Sequence, residues 1–385
     1  YHSMYGHTTG AHNCGLGRTT LNANTSGGYN VAVGNAALSS NTTGSQNVAV
    51  GYQALADNTT HSNNIAMGFE AAKNQLAAGI IAIGYRALKN GNTSGGSNTA
   101  VGNNAAESCT GGQYLVAVGN DAMQAVTTAH WSVAVGRRAL YRLTSGSNNT
   151  AVGQGCAQYV TTGQMNTAMG GDALQQTNTG NYNVAIGRVA LSSNTTASHN
   201  VAVGYESATS TTTGVNNVAI GSHALKDNTT SNNQVAVGYN ALQNATGGSN
   251  TAVGKNAGEN ITSGAQNVCL GINSNPSAAT SSNQFTLGDG NINNLRCNDT
   301  SISSLSDERD KTEIIDLPIG LDFINGLKPR KFKWATRDGN IKDGKYRAGF
   351  IAQELQALES STSVDYLDLV LDDNPDKLEA TEGHL

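Results

Sequence analysis

Proline is scarce in this chain of 385 residues: there are four, Pro276, Pro318, Pro329 and Pro375, and all lie beyond residue 275. Upstream of them every residue keeps the N–H that an uninterrupted hydrogen-bonded ladder requires. Charge is scarce too, with Asp, Glu, Lys and Arg at 13% and aromatics at 5%. No block of basic residues is present, so nucleic acid is not an expected partner. No apolar run approaches the roughly 18 residues of a membrane span, so membrane insertion is not expected either. The chain opens at Tyr1 without a charged segment leading into an apolar core. The expectation is that no secretory signal lies in this stretch and that the natural N-terminus is missing.

Cysteine and histidine form no pattern. The five cysteines, Cys14, Cys109, Cys156, Cys269 and Cys297, are odd in number and lack any CxxC pair. They read as free thiols, with Cys14 and Cys269 expected as small buried hydrophobes. The eight histidines are scattered, so no metal and no cofactor is expected.

What is present is unevenly spread. Residues 1 to 300 carry 11 Lys and Arg against 10 Asp and Glu; residues 301 to 385 carry 11 against 17, so the net charges are +1 and −6, summing to −5. The long region is rich in Gly, Ala, Asn, Thr and Ser, which taken alone suits a flexible linker. Its periodicity excludes that. Aligned on one glycine, the chain repeats at Gly17, 34, 51, 68, 84, 102, 119, 136, 153, 170, 187, 204, 221, 238, 254, 271 and 288. Thirteen of the sixteen intervals are 17 residues and the others are 16, 18 and 16. A short fixed period is the signature of a solenoid, whose units bury their apolar faces by stacking.

Each repeat centres on Asn-Val-Ala-Val-Gly. The residue before the glycine is aliphatic in all seventeen copies, the one two before is Ala in fourteen, and Asn stands four before in twelve. Large, small, large is the alternation of a strand. The expectation is that the aliphatic residues line the interior, that Ala points the other way, and that Asn marks a corner with stacked amides. A second apolar pair, as in Ala37-Leu38 or Ala173-Leu174, suggests a second short strand, followed by turn residues such as Ser-Ser-Asn-Thr-Thr-Gly. Sixteen steps at strand spacing give a rod about 75 to 80 Å long. Small residues on two faces suggest that such rods lie close together. The Asn-Thr-Thr triplets at Asn41, Asn58 and Asn228 match the glycosylation sequon, but turn chemistry accounts for them.

Asn183-Val184-Ala185-Ile186-Gly187 resembles the head repeat of trimeric autotransporter adhesins of the YadA type, and the resemblance covers residues 13 to 288. It implies a homotrimer of left-handed parallel β-rolls. The expected fold is therefore all-β: a parallel β-solenoid of seventeen coils over residues 1–288, then a β-rich connector over 289–305. A small α+β domain over 306–385 completes it.

In that last region Ser306-Asp307-Glu308-Arg309-Asp310-Lys311 is followed by Phe332-Lys333-Trp334 and by Gly349-Phe-Ile-Ala-Gln-Glu354. Leu321 to Leu327 and Phe350 to Leu358 have helical periodicity, and Lys331 to Trp334 alternates as a strand. The stretch resembles the peptidase S74 domain, the intramolecular chaperone at the C-terminus of phage endosialidases and tail fibres. That family continues into a long C-terminal helix, absent before Leu385. The resemblance implies assisted trimerisation followed by self-cleavage, with Ser306 as nucleophile and Lys311 as general base. A lysine serves as base only if its pKa is lowered, and Asp307 and Asp310 would raise it. Read without the resemblance, Ser306 is a helix N-cap beside a solvated face.

Tyr52, Phe69 and Tyr85 follow the repeat glycine in three successive coils. They suit either stacking on sugar rings or an aromatic ladder that stabilises the rod. Three functions are open at this point. The first is a structural and host-receptor-binding phage tail fibre in the virion, with a cell-surface glycan or other receptor and further tail proteins as partners. The second is a bacterial surface adhesin. The third is a glycan-degrading tailspike, for which the few, mostly single carboxylates of the repeat are ill suited.

Overall fold

The computed structural model describes residues 3–6, 8–91, 96–292, 320–333, 346–362, 369–371 and 379–380. Seventeen strands of three residues each, from β1 (Cys14–Leu16) to β17 (Phe285–Leu287), form one parallel sheet in which each coil contributes one strand. The pairing keeps like against like: in β11 (Val184–Ile186), Ala185 faces Ala202 of the next coil and Ile186 faces Val203. The irregular intervals leave this register intact. Ile65 pairs with Ile81 across the first 16-residue step, and Ile81 with Thr99 across the 18-residue step.

The glycine column makes the coil possible. From Gly17 to Gly254 its φ angles lie between 124° and 139°. A Cβ on any of these glycines would stand 2.3 to 2.7 Å from the carbonyl of the equivalent glycine one coil on. No side chain fits there, so the residue is kept in every copy.

After the glycine the structure departs from expectation. The second limb, with Ala37-Leu38 as an example, is a chain of turns rather than a strand. Its residues alternate into the left-handed region: Ala36 has φ 58° and Leu38 φ 49°, with Tyr29 at 59° just before the strand. Each such residue costs on the order of 1–2 kcal/mol. Inter-coil hydrogen bonds at those same residues offset the cost, from Ala36 N to Arg18 O at 2.9 Å and from Leu38 N to Ala54 O at 3.0 Å. The alternation expected of a strand is present, but the backbone is bent at every second residue.

The interior is also the reverse of the expected one. Ala two before the glycine is fully buried, as at Ala32, Ala49, Ala185 and Ala202, and so are Ala and Leu three and four after it, as at Ala37 and Leu38. The aliphatic residues flanking each strand alanine point outward: Ile83 and Ile186 are 37% exposed and Met169 47%. On the strand side the residue that faces the second limb is small, alanine in fourteen coils and a fully buried cysteine at Cys269. The small residues therefore serve contact within a coil, not contact between rods. By the same rule Cys269 is buried, but Cys14, one place along, is exposed.

Asparagine holds the corner as expected. Asn183 Oδ1 accepts the backbone N–H of Asn200 at 3.1 Å, while its Nδ2 donates to Ala197 O at 2.9 Å and to Asn166 Oδ1 at 3.1 Å. The amides thereby satisfy backbone groups that the bend leaves without a strand partner. Asn41, Asn58 and Asn228 are fully buried in turns, which agrees with a structural role for those triplets.

The C-terminal unit is built from α1 (Leu321–Gly326), β18 (Arg330–Phe332), β19 (Arg347–Gly349), α2 (Ala352–Thr362), β20 (Val370–Leu371) and β21 (Glu379–Ala380). Both helices and β18 lie where the sequence places them. The antiparallel pairing of β18 with β19 is additional. Phe323, Ala352, Leu355, Leu369 and Val370 form its small core.

Candidate functional site: a rod with two unlike faces

The strand face follows from the inward turn of alanine. Its two outward columns, one on each side of the strand alanine, contain no charged residue in any of the seventeen coils. Their only polar side chains beyond Cys14 are Thr99, Thr150, Thr167 and Thr251. All-parallel sheets are otherwise found with both faces covered, because their strands expose apolar side chains on each side. Here one face packs on the coil's own second limb and the other is open. An apolar band running the length of the rod exceeds the patch a soluble monomer normally shows.

All charge lies on the other side. Every Lys and Arg between residues 1 and 288, from Arg18 to Lys255, and every Asp and Glu there, from Asp57 to Glu259, stands one, two, five or six places after a repeat glycine. These are the outward positions of the second limb. Within this face the charges form local networks. Glu70 receives Lys89 at 3.0 Å, Arg86 at 3.1 Å and Lys73 at 3.3 Å. The Lys89 hydrogen bond above all, then Lys73, holds the Glu70 carboxyl below the usual range. Glu206 lies 2.8 Å from Lys226, and that bond, followed by one from Tyr205, lowers its pKa likewise. A general acid for glycoside hydrolysis needs a raised value, so neither carboxyl has that character.

Tyr52, Phe69 and Tyr85 are brought together on this face. Their ring centroids are 5.1 and 5.4 Å apart with interplanar angles of 14° and 13°, and the guanidinium of Arg86 lies 5.0 Å from the Tyr85 centroid. Phe69 therefore has both faces engaged by its neighbours, and the ladder offers edges and hydroxyls outward. A second aromatic column stands five before the glycine, where His12 stacks on Tyr29, Tyr114 on Trp131 and Tyr182 on His199. Sequence reading missed it, although writing out that column at the 17-residue period reveals it.

Ser306 and Lys311 lie outside the described residues. The described part of the C-terminal unit shows a forked ion pair from Arg330 to Glu354 at 2.9 and 2.5 Å. The Glu359 carboxylate accepts the Leu369 N–H at 2.7 Å, tying α2 to the start of β20. Lys331 and Lys333 both sit over the Tyr346 ring, at 4.5 and 4.7 Å. Among the described residues no cluster of His, Cys, Asp and Glu is arranged to hold a metal, and no helix is long and apolar enough to cross a membrane.

Residues 306–363 match the model of the peptidase S74 family, described as chaperone of endosialidase. The match begins at Ser306 and leaves the solenoid outside it. No curated protein matches the chain.

Proposed function

We propose that this chain is the subunit of a homotrimeric tail fibre or tailspike of a virion, whose solenoid forms the shaft and whose limb face meets a host-cell receptor. The observation that carries the reading is the uncharged strand face over seventeen coils in a chain that also carries a chaperone-of-endosialidase match over residues 306–363. That face asks for a cover that is apolar, unbranched and as long as the rod. Two further copies of the same rod meet the requirement, since each presents the same columns at the same rise. On this reading the C-terminal domain aligns three chains and then cuts itself off: Lys311 takes the Ser306 hydroxyl proton as the oxygen attacks the Leu305 carbonyl, the Leu305–Ser306 amide becomes an ester with the Ser306 amine released, and water hydrolyses the ester.

The limb face would stay outward in such a trimer, carrying Tyr52, Phe69, Tyr85 and the charged networks toward a receptor. Other tail proteins would hold one end of the shaft. The second reading, a bacterial surface adhesin, draws on the resemblance of Asn-Val-Ala-Ile-Gly to the YadA-type head repeat.

Mass measurement on the purified chain tests the assembly: three copies are expected, and a monomer would sink the proposal. Ser306→Ala should abolish a smaller fragment on a denaturing gel. Unchanged fragments would reject self-cleavage while leaving the trimer intact. Neighbouring tail or baseplate genes would favour the virion over the cell surface.

A further inference from the structure

We propose that the coil from Arg137 to Arg142 is a binding site for an acidic polysaccharide, one whose repeating units carry carboxylate or phosphate groups; this deepens the receptor-binding reading above and rests on it. Three of the ten solenoid cations fall within these six residues. Their surroundings differ from the other charged networks on the limb face. Around Glu70, three cations meet two carboxylates, those of Glu70 and Glu107, and every cation is engaged, leaving a net +1. Around Glu206, Lys226 is engaged at 2.8 Å. In the arginine coil Asp121 stands against Arg137, Arg138 and Arg142, a net +2 from three less one. Only Arg138 pairs with it, at 3.7 Å. Arg137 and Arg142 are exposed and have no carboxylate within ion-pair distance among the described residues.

The aromatics there hold the guanidiniums in place. Arg142 lies over the Tyr159 ring of the next coil at 5.4 Å, and Arg138 over Tyr141 of its own coil at 5.5 Å. A guanidinium laid on a ring keeps its N–H edges outward, and that planar fork matches carboxylate and phosphate oxygens in pairs. Inter-coil backbone bonds hold the main chain of Arg142 and of Tyr159 in place, from Arg142 N to Gln158 O at 3.0 Å and from Tyr159 N to Gln175 O at 3.0 Å. Such exposed contacts are individually weak and fall with salt. A polymer with an anion on every unit, meeting the same coil three times around a fibre, gains by repetition instead.

The test uses the intact fibre on surfaces coated with polygalacturonate for carboxylate, poly(glycerol phosphate) for phosphate, methyl-esterified polygalacturonate as the uncharged control, and an oligodeoxythymidylate. Binding is expected to one of the first two, whichever names the anion, and not to the ester. Arg137→Gln with Arg142→Gln should weaken it at least about tenfold. Arg137→Lys with Arg142→Lys, which keeps charge but loses the fork, should recover only part. Lys255→Gln should leave it unchanged, and equal melting temperatures exclude a folding defect.

Unchanged binding by the double Gln variant, equal binding to the ester, or equal binding to the oligonucleotide would each overturn the site. A monomeric chain that still shows the arginine dependence would overturn the fibre reading and leave the site standing. A trimer without it would overturn the site alone.

Discussion

Ala185 and Ile186 are consecutive residues of β11, yet the alanine is fully buried while the larger isoleucine is 37% exposed. This inversion sets the interior of the coil and, on the proposed reading, the surface through which chains associate.

Core volume should therefore be limited at alanine and not at the aliphatic column. Ala185→Val is expected to cost about 1–3 kcal/mol by overpacking the space between limbs. Ile186→Ala should change the stability of the isolated chain by no more than about 0.5 kcal/mol. Denaturant unfolding of the two variants checks this. The opposite ranking would restore the aliphatic residues to the interior.

A charge on the strand face should act on assembly alone. With Ile186→Asp and Ile220→Asp together, sedimentation is expected to show single chains whose far-ultraviolet circular dichroism is that of the parent. Trimers that persist would remove the strand face from the interface.

The glycine column should tolerate nothing larger. Gly119 has φ 135°, and a Cβ there would lie 2.6 Å from Gly136 O. Gly119→Ala is expected to lower stability by at least about 1–3 kcal/mol through strain alone, read as a lower melting temperature. Gly171, which has open space around it, provides the control, and Gly171→Ala should be mild by comparison.

The amide ladder can be tested at one rung. Asn183→Ala leaves the buried Asn200 N–H without its partner, while the Ala197 carbonyl keeps the Asn194 amide at 3.1 Å. A loss of about 1–3 kcal/mol per buried group left unpaired is expected in the same unfolding experiment.

Thiol reactivity should report burial. Desolvation pushes Cys109 and Cys269 up to about 11 and Cys156 up to about 12. At pH 8 these thiols should resist alkylation in the native chain and react on unfolding, while exposed Cys14 reacts in a monomer. On the proposed assembly Cys14 becomes protected in the trimer, and peptide mapping after labelling distinguishes the two states.

Much was legible without the structure. The period, the seventeen coils, the corner asparagines and the two C-terminal helices follow from local spacing, while the parallel arrangement was an expectation from the resemblance to the adhesin head repeat. The glycine at each bend could be found by its recurrence, although its reason, a carbonyl 2.3 to 2.7 Å from any Cβ, is a matter of neighbouring coils. The left-handed residues such as Ala36 and Leu38 were not legible, since neither side chain favours that conformation.

Sequence alternation alone established that Ala185 and its neighbours Val184 and Ile186 point to opposite sides, but alternation is symmetric and says nothing of which side is inside. Only the tertiary structure decided that. The side that packs on the second limb is filled by alanine, as at Ala185, and the larger apolar residues, as at Ile186, are turned outward. The charges, all confined to the opposite limb, are left to face whatever the rod meets.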